Sequence, residues 1–306
     1  MTLALVTGAA GQDGLYLCRQ LADSGVSVLA GRLGASPRDS YLRHPRIALV
    51  DLDITDTAAF AALLRGRQVD EVYNLAALSS VAQSWDDPQT TAAVNADAVA
   101  GMLAAIRHVR PTVRFFQASS VQAGTTSPYA SSKLAAEGAV LDARAAGVFA
   151  VNGRLANHES PLRPEHFVSR RIARAAARGE GLDLGSLASE RDWGHARDHV
   201  AAMPLLLRLS DPLDVDICTG VRRPLRDLVH AAYRGAGLAP EEYVVETDVV
   251  ARPSDPVSVG GSPEALTAAT GWRPRTSLDA LMAEMVAVER QRLATGLEDA
   301  PDYLVP

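Results

Sequence analysis

The run Thr7-Gly8-Ala9-Ala10-Gly11-Gln12-Asp13-Gly14 decides the fold of this 306-residue chain. It follows the apolar run Leu3–Thr7, which predicts a strand, and it opens the helical pattern Gln12–Ser24. Glycines at such a junction permit a tight turn and close approach of a pyrophosphate, whose charge meets the helix N-terminus. The strand–turn–helix context therefore predicts a dinucleotide-binding turn, with Gly8, Gly11, Gln12, Asp13 and Gly14 as its cofactor-binding residues.

Short β-branched or apolar runs alternate with alanine-rich helical patterns along the first half of the chain. This alternation predicts an α/β fold: a Rossmann-type doubly wound parallel sheet with a smaller C-terminal substrate-binding lobe. The predicted strands are Leu3–Thr7, Val26–Arg32, Ile47–Val50, Glu71–Ala76, Arg114–Ala118, Phe149–Asn152 and Val215–Thr219. The predicted helices are Gln12–Ser24, Thr57–Arg65, Thr90–Val109, Tyr129–Ala146, Phe167–Arg178, Arg197–Leu209, Leu225–Ala236 and Leu278–Arg290.

The pattern changes after about Asn157, where loops, prolines and charges become more frequent. We therefore predict a dinucleotide-binding domain over residues 1–157, to which 197–238 returns. Residues 158–196 and 239–306 are predicted to form the second lobe. An apolar stripe on the last helix predicts core packing, not a cofactor site; it consists of Leu278, Leu281, Met282, Met285 and Val286.

Composition excludes several classes of function. The net charge of −6 argues against nonspecific nucleic-acid binding. No apolar stretch approaches the ~18 residues of a membrane-spanning helix, and no signal-peptide pattern opens the sequence. We therefore expect a cytoplasmic protein without a membrane partner. Cys18 and Cys218 lack metal-ligand spacing and are predicted to be buried small hydrophobes, so no metal site is expected.

Tyr129 and Lys133 carry the candidate chemistry. They lie four residues apart on a predicted helix, so both side chains occupy one face. A neighbouring ammonium favours the phenolate, which suits Tyr129 to act as a general base. Lys133 is the only lysine of the chain. A serine hydroxyl from the run Ser119-Ser120 can hold the substrate oxygen, and Gln122 stands where a second acid or base would be useful.

The end of the second strand normally separates NAD from NADP. An acid there hydrogen-bonds the NAD ribose, whereas an arginine suits the extra phosphate of NADP. The chain has Gly31-Arg32 and no acid until Asp39, so NADP is favoured over NAD. The alternative is that Arg32 is a solvated strand end.

Other residues near strand ends complete the predicted cofactor site. Asp53 can accept a hydrogen bond from the adenine amine, and Ala76 and Ala77 leave room for the cofactor. Asn74 and Asn95 are interpreted as structural residues that hold strand-end backbone groups.

Several distinctive runs resemble the extended short-chain dehydrogenase/reductases and, among them, the GDP-mannose 4,6-dehydratase family. The resemblance extends from the first strand to about Val286. Besides the glycine turn, the runs are Tyr73-Asn74-Leu75-Ala76-Ala77, Gln117-Ala118-Ser119-Ser120, Asn157-His158-Glu159-Ser160-Pro161, Arg191-Asp192-Trp193-Gly194-His195-Ala196-Arg197-Asp198 and Gly271-Trp272-Arg273-Pro274-Arg275-Thr276.

The resemblance implies a nucleotide-sugar substrate, a GDP-hexose, bound between the Rossmann domain and the smaller lobe. Asn157, Arg191 and Arg252 would contact the diphosphate, because guanidinium groups suit phosphate oxygens. The resemblance also gives roles to further residues: Asp255 at the nucleoside ribose, Ser79 at the sugar, Val168 and Arg171 in the nucleotide pocket, and His158 at the cofactor. His158 and His195 are nevertheless interpreted as mainly structural.

Two alanine-rich helices, Thr90–Val109 and Tyr129–Ala146, bear on assembly. Small residues allow close helix approach, so a helical interface between subunits is one interpretation; high helix propensity alone is the other. We expect a homodimer or homotetramer.

The chain departs from the family at one position. The resemblance places Ser120 at the family's catalytic hydroxyl position. The family's run continues to a glutamate two residues later, but Gln122 occupies that position here, or Val121 if the register shifts by one. The loop Val121–Pro128 is also shorter than in the family. Oxidation at the hexose C4 needs only Tyr129, Lys133, Ser120 and NADP+.

The departure leaves three functions open. A dehydratase must move a proton after the oxidation, and an amide cannot do so, unless Glu159 or another group takes part. The leading interpretation is therefore a GDP-mannose 4,6-dehydratase-like enzyme. The alternatives are a C4 epimerase or ketoreductase of a nucleotide sugar, or an inactive paralogue.

Overall fold

The computed structural model describes residues 2–246 and 258–304. The strands in this part of the chain are β1 (Leu3–Thr7), β2 (Ser27–Arg32), β3 (Ile47–Asp51), β4 (Glu71–Asn74), β5 (Arg114–Ser120), β6 (Ala150–Leu155), β7 (Asn157–Glu159), β8 (Leu182–Leu184), β9 (Glu190–His195), β10 (Val215–Ile217), β11 (Arg222–Pro224), β12 (Val244–Glu246) and β13 (Ser258–Val259).

The α-helices are α1 (Gln12–Asp23), α2 (Thr57–Gly66), α3 (Val81–Asp86), α4 (Pro88–Ala92), α5 (Ala98–Val109), α6 (Pro128–Ala145), α7 (Val168–Arg178), α8 (Ala196–Leu207), α9 (Leu225–Ala236), α10 (Glu264–Thr270) and α11 (Leu278–Thr295). Short 3₁₀ helices lie at Pro37–Leu42, Pro240–Glu242 and Pro301–Tyr303, and a π-helical turn lies at Ala93–Asp97.

The chain divides into two compact units. The first comprises Met1–Leu155, Val200–Ile217 and Ala265–Trp272, and the second comprises Ala156–His199, Cys218–Glu264 and Arg273–Pro306. Helix α9 therefore belongs to the second unit, whereas the sequence interpretation returned the whole of 197–238 to the first. The reason is packing: Leu228 and Tyr233 of α9 lie in one buried cluster with side chains of α7 and α11.

The first unit is built on a seven-stranded sheet in the order β10-β6-β5-β4-β1-β2-β3. Every neighbouring pair is parallel, so the predicted Rossmann-type α/β fold is confirmed. Helices on the sheet bury a cluster that includes Phe60, Val72, Met102, Ile106 and Phe115. The carboxyl ends of β1, β4 and β5 lie side by side, which brings the segments after them to one edge of the sheet.

The second unit contains two small sheets and a helical core. Strand β9 pairs with β7, β11 and β13, and β8 pairs with β12. Helices α7, α9 and α11 enclose the core between them. The predicted stripe on α11 is confirmed as core packing, since Leu281, Met282, Met285 and Val286 are buried there and Leu278 packs against them.

The predicted helix Thr90–Val109 is interrupted. It is divided into α4, a π-helical turn at Ala93–Asp97 and α5. The turn carries Asn95, whose side chain accepts from the Leu78 backbone N–H at 2.8 Å and donates to the Leu78 carbonyl at 3.0 Å. Asn95 thus holds the backbone after β4, which confirms its predicted structural role.

Both cysteines are buried, as predicted. Desolvation raises the pKa of the Cys18 thiol far above its usual range, so the thiol stays protonated. Among the described residues, no helix is both long enough and apolar enough to span a membrane.

Candidate active site

The turn after β1 has no room for side chains at two of its glycines. Gly8 adopts a φ of +65°, and a Cβ there would lie 2.8 Å from the Ala76 nitrogen. A Cβ on Gly14 would lie 2.4 Å from the Gly8 carbonyl oxygen. The Gly11 N–H donates to that same carbonyl at 2.9 Å, and α1 begins at Gln12. The result is a backbone cradle at a helix N-terminus, which fits the pyrophosphate of a dinucleotide.

Ala76 and Ala77 lie directly after β4, beside this turn. The backbone N–H groups of Leu75 and Ala76 both donate to Thr7 Oγ1 at 3.2 Å. The segment is therefore held against the end of β1, so that Ala76 closes one wall of the cradle.

Asp53 lies in the exposed loop after β3. Its carboxylate accepts from the Thr55 N–H at 2.9 Å and from the Thr55 hydroxyl at 2.7 Å. These hydrogen bonds lower the pKa of Asp53 below its usual value. The group is thus an ionised acceptor, as the predicted contact with an adenine amine requires.

Arg32 ends β2 and is held by two carboxylates. Its Nε lies 3.1 Å from Oδ1 of Asp39, and its guanidinium also pairs with Asp51 and with the Gly34 carbonyl. In the sequence, Asp39 is the first acid after Arg32. The 3₁₀ helix Pro37–Leu42, capped by Ser36, brings that carboxylate back to the strand end.

The N-terminus of α6 fixes the position of Tyr129. Ser127 caps the helix by accepting from the Ala130 N–H at 3.0 Å. The Tyr129 N–H donates to Ser84 Oγ at 3.2 Å, and its carbonyl accepts from Ser132 Oγ at 2.7 Å. The backbone of the candidate base is thus anchored on both sides.

Lys133 lies one turn further along α6, on the same face. Its ammonium donates to the Ala118 carbonyl at 2.8 Å and lies 5.8 Å from the centre of the Tyr129 ring. The side chain is 4% exposed, and this burial lowers the pKa of Lys133 to about 8, while the Asp13 carboxylate of α1 opposes the shift. The structure therefore brings the glycine turn and the Tyr129–Lys133 pair together.

The two serines at the end of β5 play different parts. Side chains alternate between faces along a strand. Ser119 donates to Glu137 Oε1 at 2.6 Å, and Arg154 also binds that carboxylate, so Ser119 belongs to a buried structural network. Ser120 lies on the other face, which leaves it as the candidate for holding a substrate oxygen.

Gln122 lies in the turn that follows β5 and is half-buried. Its backbone N–H donates to Ser120 Oγ at 3.1 Å, and its carbonyl accepts from the Thr125 N–H at 3.0 Å. The backbone of Gln122 is thus hydrogen-bonded directly to the hydroxyl of Ser120, the candidate for holding the substrate.

The second unit carries most of the predicted substrate residues. Asn157 lies on β7, in register with Trp193 of β9, and Arg191 of β9 donates to the Glu190 carbonyl at 2.7 Å. Val168 begins α7, and Arg171 on the same helix lines an open depression with Glu165 and His166. Ser79 is exposed in the first unit, after β4; Arg252 and Asp255 lie outside the described residues.

The carboxylate of Glu159 is held by two neighbouring side chains. It is buried, accepts from Ser169 Oγ at 2.5 Å and lies 2.9 Å from Nε of Arg163. The guanidinium of Arg163 in turn stacks on the ring of Phe167. Glu159 therefore fixes the segment that leads into α7.

Three histidines of the second unit lie together: His195 and His199 are buried, and His158 is half-buried. His158 Nδ1–H donates to the Ala156 carbonyl, and its ring stacks on His199 with centres 5.0 Å apart. His195 donates from Nε2 to Glu284 and accepts from the Arg197 N–H through Nδ1. These contacts agree with the mainly structural interpretation of His158 and His195.

Gly194 makes that cluster possible. A Cβ at this position would lie 2.2 Å from Cε1 of His199. The absence of a side chain at 194 is therefore what lets the His199 ring pack against β9.

Asp198 joins two of the runs that carry the family resemblance. Its carboxylate accepts from the backbone N–H groups of Arg275 and Thr276, each at 2.8 Å. Both runs were recognised in the sequence, but nothing in their spacing indicated this contact. The same holds for Glu137, whose only signal was its position one turn after Lys133.

Fold and site together define a short-chain dehydrogenase/reductase. The family model for GDP-mannose 4,6 dehydratase matches residues 5–285. A GDP-mannose 4,6-dehydratase from Yersinia enterocolitica is 33% identical, with 95% of each chain aligned. GDP-mannose 4,6 dehydratase 2 from Arabidopsis thaliana is 36% identical over 93% of this chain and 86% of its own. This chain belongs to the GDP-mannose 4,6-dehydratase family.

A solved structure agrees with this fold. The dTDP-glucose 4,6-dehydratase from Streptomyces venezuelae, solved with NAD and TYD bound, superposes with a TM-score of 0.86 at 22% identity. The match covers 96% of this chain and 98% of that one.

Proposed function

We propose that this chain is an NADP-dependent enzyme that oxidises C4 of a GDP-hexose, in the manner of a GDP-mannose 4,6-dehydratase. The observation that carries the proposal is the placement of Lys133, with its buried ammonium beside Tyr129 and anchored on the Ala118 carbonyl. A cation held there stabilises a phenolate, which makes Tyr129 the base.

The reaction at C4 is assigned to three side chains. Ser120 holds the C4 hydroxyl by a hydrogen bond, Tyr129 removes its proton, and Lys133 stabilises the phenolate that does so. NADP+, when bound, supplies the hydride acceptor. The residues proposed to hold it are Gly8, Gly11, Gln12, Asp13, Gly14, Arg32, Asp53, Ala76, Ala77, Tyr129, Lys133 and His158.

The proposed substrate contacts are those that the resemblance implies. Asn157, Arg191 and Arg252 supply donors and positive charge for a diphosphate. The remaining assignments are Asp255 for the ribose, Ser79 for the hexose, and Val168 and Arg171 for the nucleotide. Family membership and the charge of these side chains support a GDP-sugar.

The step after oxidation depends on Gln122. We propose that it replaces the family's catalytic glutamate, in a shortened loop. The shortened loop rests on the resemblance of the sequence to the family; the alignment with the Yersinia relative extends over 352 positions although this chain has 306 residues, which supports deletions in this chain as a whole. Without a carboxylate at 122, proton transfer at C5 and C6 loses its titratable group.

The second candidate is a C4 epimerase or ketoreductase that never eliminates water. Two observations favour it: Gln122 carries no ionisable group, and Glu159 is committed to Ser169 and Arg163. Neither residue supplies an uncommitted base for dehydration.

Product mass separates the candidates. Purified protein is incubated with NADP+ and GDP-mannose, and the sugar nucleotide is analysed by mass spectrometry and NMR. Loss of one water supports the dehydratase, whereas unchanged mass with inverted C4 supports the epimerase. If GDP-, UDP-, CDP- and dTDP-hexoses all remain unchanged, the proposed activity is wrong and the chain is an inactive paralogue.

A further inference from the structure

A row of buried side chains crosses the ends of β1, β4 and β5. It begins at Thr7, whose Oγ1 accepts from the backbone N–H groups of Leu75 and Ala76 at 3.2 Å each. Because an amide N–H can only donate, the hydroxyl hydrogen of Thr7 is left to donate onward. It does so to Oδ1 of Asn74 at 2.6 Å.

The direction of that first bond orients the two amides that follow. With Oδ1 occupied, Asn74 donates from Nδ2 to Gln117 Oε1 at 2.8 Å. Gln117 must then present its own Nε2–H groups, and it donates to the Ala118 carbonyl at 3.1 Å. Thr7, Asn74 and Gln117 are each 1% exposed. Water cannot replace a bond in this row without entering the core.

The Ala118 carbonyl is available because β4 is short. The last pair between β4 and β5 is Asn74 with Gln117, so Ala118 lies one residue beyond it. Its carbonyl receives Gln117 Nε2 and, at 2.8 Å, the ammonium of Lys133. One acceptor thus ends the row and anchors the lysine.

We infer that Asn74 and Gln117 are positioning residues, which fix the Ala118 carbonyl and through it the ammonium of Lys133. The row joins Ala76, at the wall of the glycine cradle, to the partner of Tyr129. The catalytic part of the inference rests on the proposed function; the placement of Lys133 does not.

Two substitutions at Gln117 separate position from charge. Gln117→Glu keeps the shape but sets a carboxylate beside the Ala118 carbonyl, where it attracts the Lys133 ammonium. Gln117→Met keeps the bulk and removes both hydrogen bonds. Asn152→Leu is the matched control. Asn152 of β6 lies in register with Gln117, but its side-chain amide donates to the Asp214 carboxylate and not to the row that ends at Ala118.

The single lysine makes the test direct. Lysine-selective ¹³C labelling of the full chain, carried on a lysine-free tag, gives one Cε resonance whose titration reports Lys133 alone. The titratable groups facing Lys133 are Asp13 of α1 and Tyr129 of α6. They are the same in every variant, so a difference in midpoint comes from position 117.

We expect Gln117→Glu to raise the Lys133 midpoint by about one to three pH units. Gln117→Met should broaden the Cε resonance and, with an active sugar, lower kcat at least ~10-fold at unchanged KM. Asn152→Leu should leave midpoint and line shape as in the wild type. A wild-type midpoint in Gln117→Glu, or a wild-type line shape in Gln117→Met, overturns the inference.

Each variant is read separately, so one misfolded variant leaves the other decisive. Loss of turnover on every hexose, with the expected NMR changes, would refute the proposed function and leave the positioning of Lys133 standing.

Discussion

The Nε atom of Arg32 lies 3.1 Å from Oδ1 of Asp39, and the same guanidinium pairs with Asp51. The arginine proposed to bind the 2′-phosphate of NADP is thus neutralised by two carboxylates. A phosphate that binds there must displace at least one of them. The choice between NADP and NAD therefore depends on the acids as well as on the arginine.

Asp51→Asn should favour NADP. Asp51 is the more exposed of the two acids, and removing its charge frees the guanidinium for phosphate. Since an exposed ion pair contributes ~0.2–1 kcal/mol, the affinity for NADP+ should rise by up to about fivefold, with little change for NAD+. Fluorescence titration of both cofactors measures this. Asp23→Asn, which removes the exposed partner of Arg19, is the control; equal gains for both cofactors would contradict the role of Arg32.

Tyr129→Phe should abolish C4 oxidation. Loss of a general base costs ~10²–10⁴-fold in kcat, while cofactor affinity should change little because the ring remains. Single-turnover reduction of NADP+ by the sugar nucleotide measures the step. Tyr233→Phe removes a buried hydroxyl that donates to the Glu180 carbonyl in the second unit, and it should keep wild-type turnover. Normal turnover in Tyr129→Phe would refute the assignment of the base.

Lys133→Met should stabilise the protein at neutral pH. Burial lowers the pKa of Lys133 from 10.5 to about 8. Between those values the unfolded chain binds a proton that the folded chain does not, so wild-type stability rises with pH. Below pH 8 the variant should be more stable by ~1–3 kcal/mol, a gap that closes toward pH 10.5.

Urea unfolding at a series of pH values measures that gap. Other titrating groups are common to both proteins and cancel in the comparison. If the two proteins have equal free energies of unfolding at pH 7, or if their difference does not change with pH, burial of the Lys133 ammonium does not destabilise the folded state.

Gln122→Glu should increase elimination of water. The new carboxylate supplies a titratable group two residues after Ser120, and a general acid or base contributes ~10²–10⁴-fold. The ratio of dehydrated to undehydrated product, read by mass spectrometry, reports the change. Gln89→Glu, an exposed change on α4, controls for added charge. An unchanged ratio would show that position 122 does not limit dehydration.

Leu141→Glu should weaken self-association. Leu134 and Leu141 of α6 are 52% and 50% exposed, an apolar pair on one helix face. If α6 lies at a subunit interface, a buried carboxylate there is costly and the oligomer dissociates. Light scattering measures the mass, with Leu293→Glu on α11 as control. A mass equal to that of the wild type would favour helix propensity as the reason for the many alanines in the predicted helix Tyr129–Ala146.

The strands of the first unit were located well, because each is a short apolar run bounded by turn residues. Leu3–Thr7 and the helix Leu225–Ala236 were located to the residue. Bounds shifted where pairing continues past the apolar run, as at Ser119 and Ser120, which remain in β5 because β6 extends alongside.

Contacts between segments that are distant in the sequence could not be predicted from sequence patterns. The return of Asp39 to Arg32 depends on a 3₁₀ helix, and the π-helical turn at Ala93–Asp97 depends on the backbone that Asn95 holds. The unit to which α9 belongs depends on which helices bury its apolar face. Pattern alone specifies a face but not its partner.

Tyr129 and Lys133 were predictable because their spacing is local. The row of hydrogen-bonded side chains from Thr7 through Asn74 to Gln117 was not predictable, because it requires knowing that β1, β4 and β5 are neighbours. The motif runs contained all three residues without indicating that they touch.

Gly194 and His199 constrain how this protein can change. Any side chain at 194 would collide with the imidazole ring at 199, which in turn stacks on His158. Strand β9 and the first turn of α8 must therefore vary as one block. Gly194→Ala alone should accumulate as insoluble protein, whereas Gly194→Ala combined with His199→Ala should express normally.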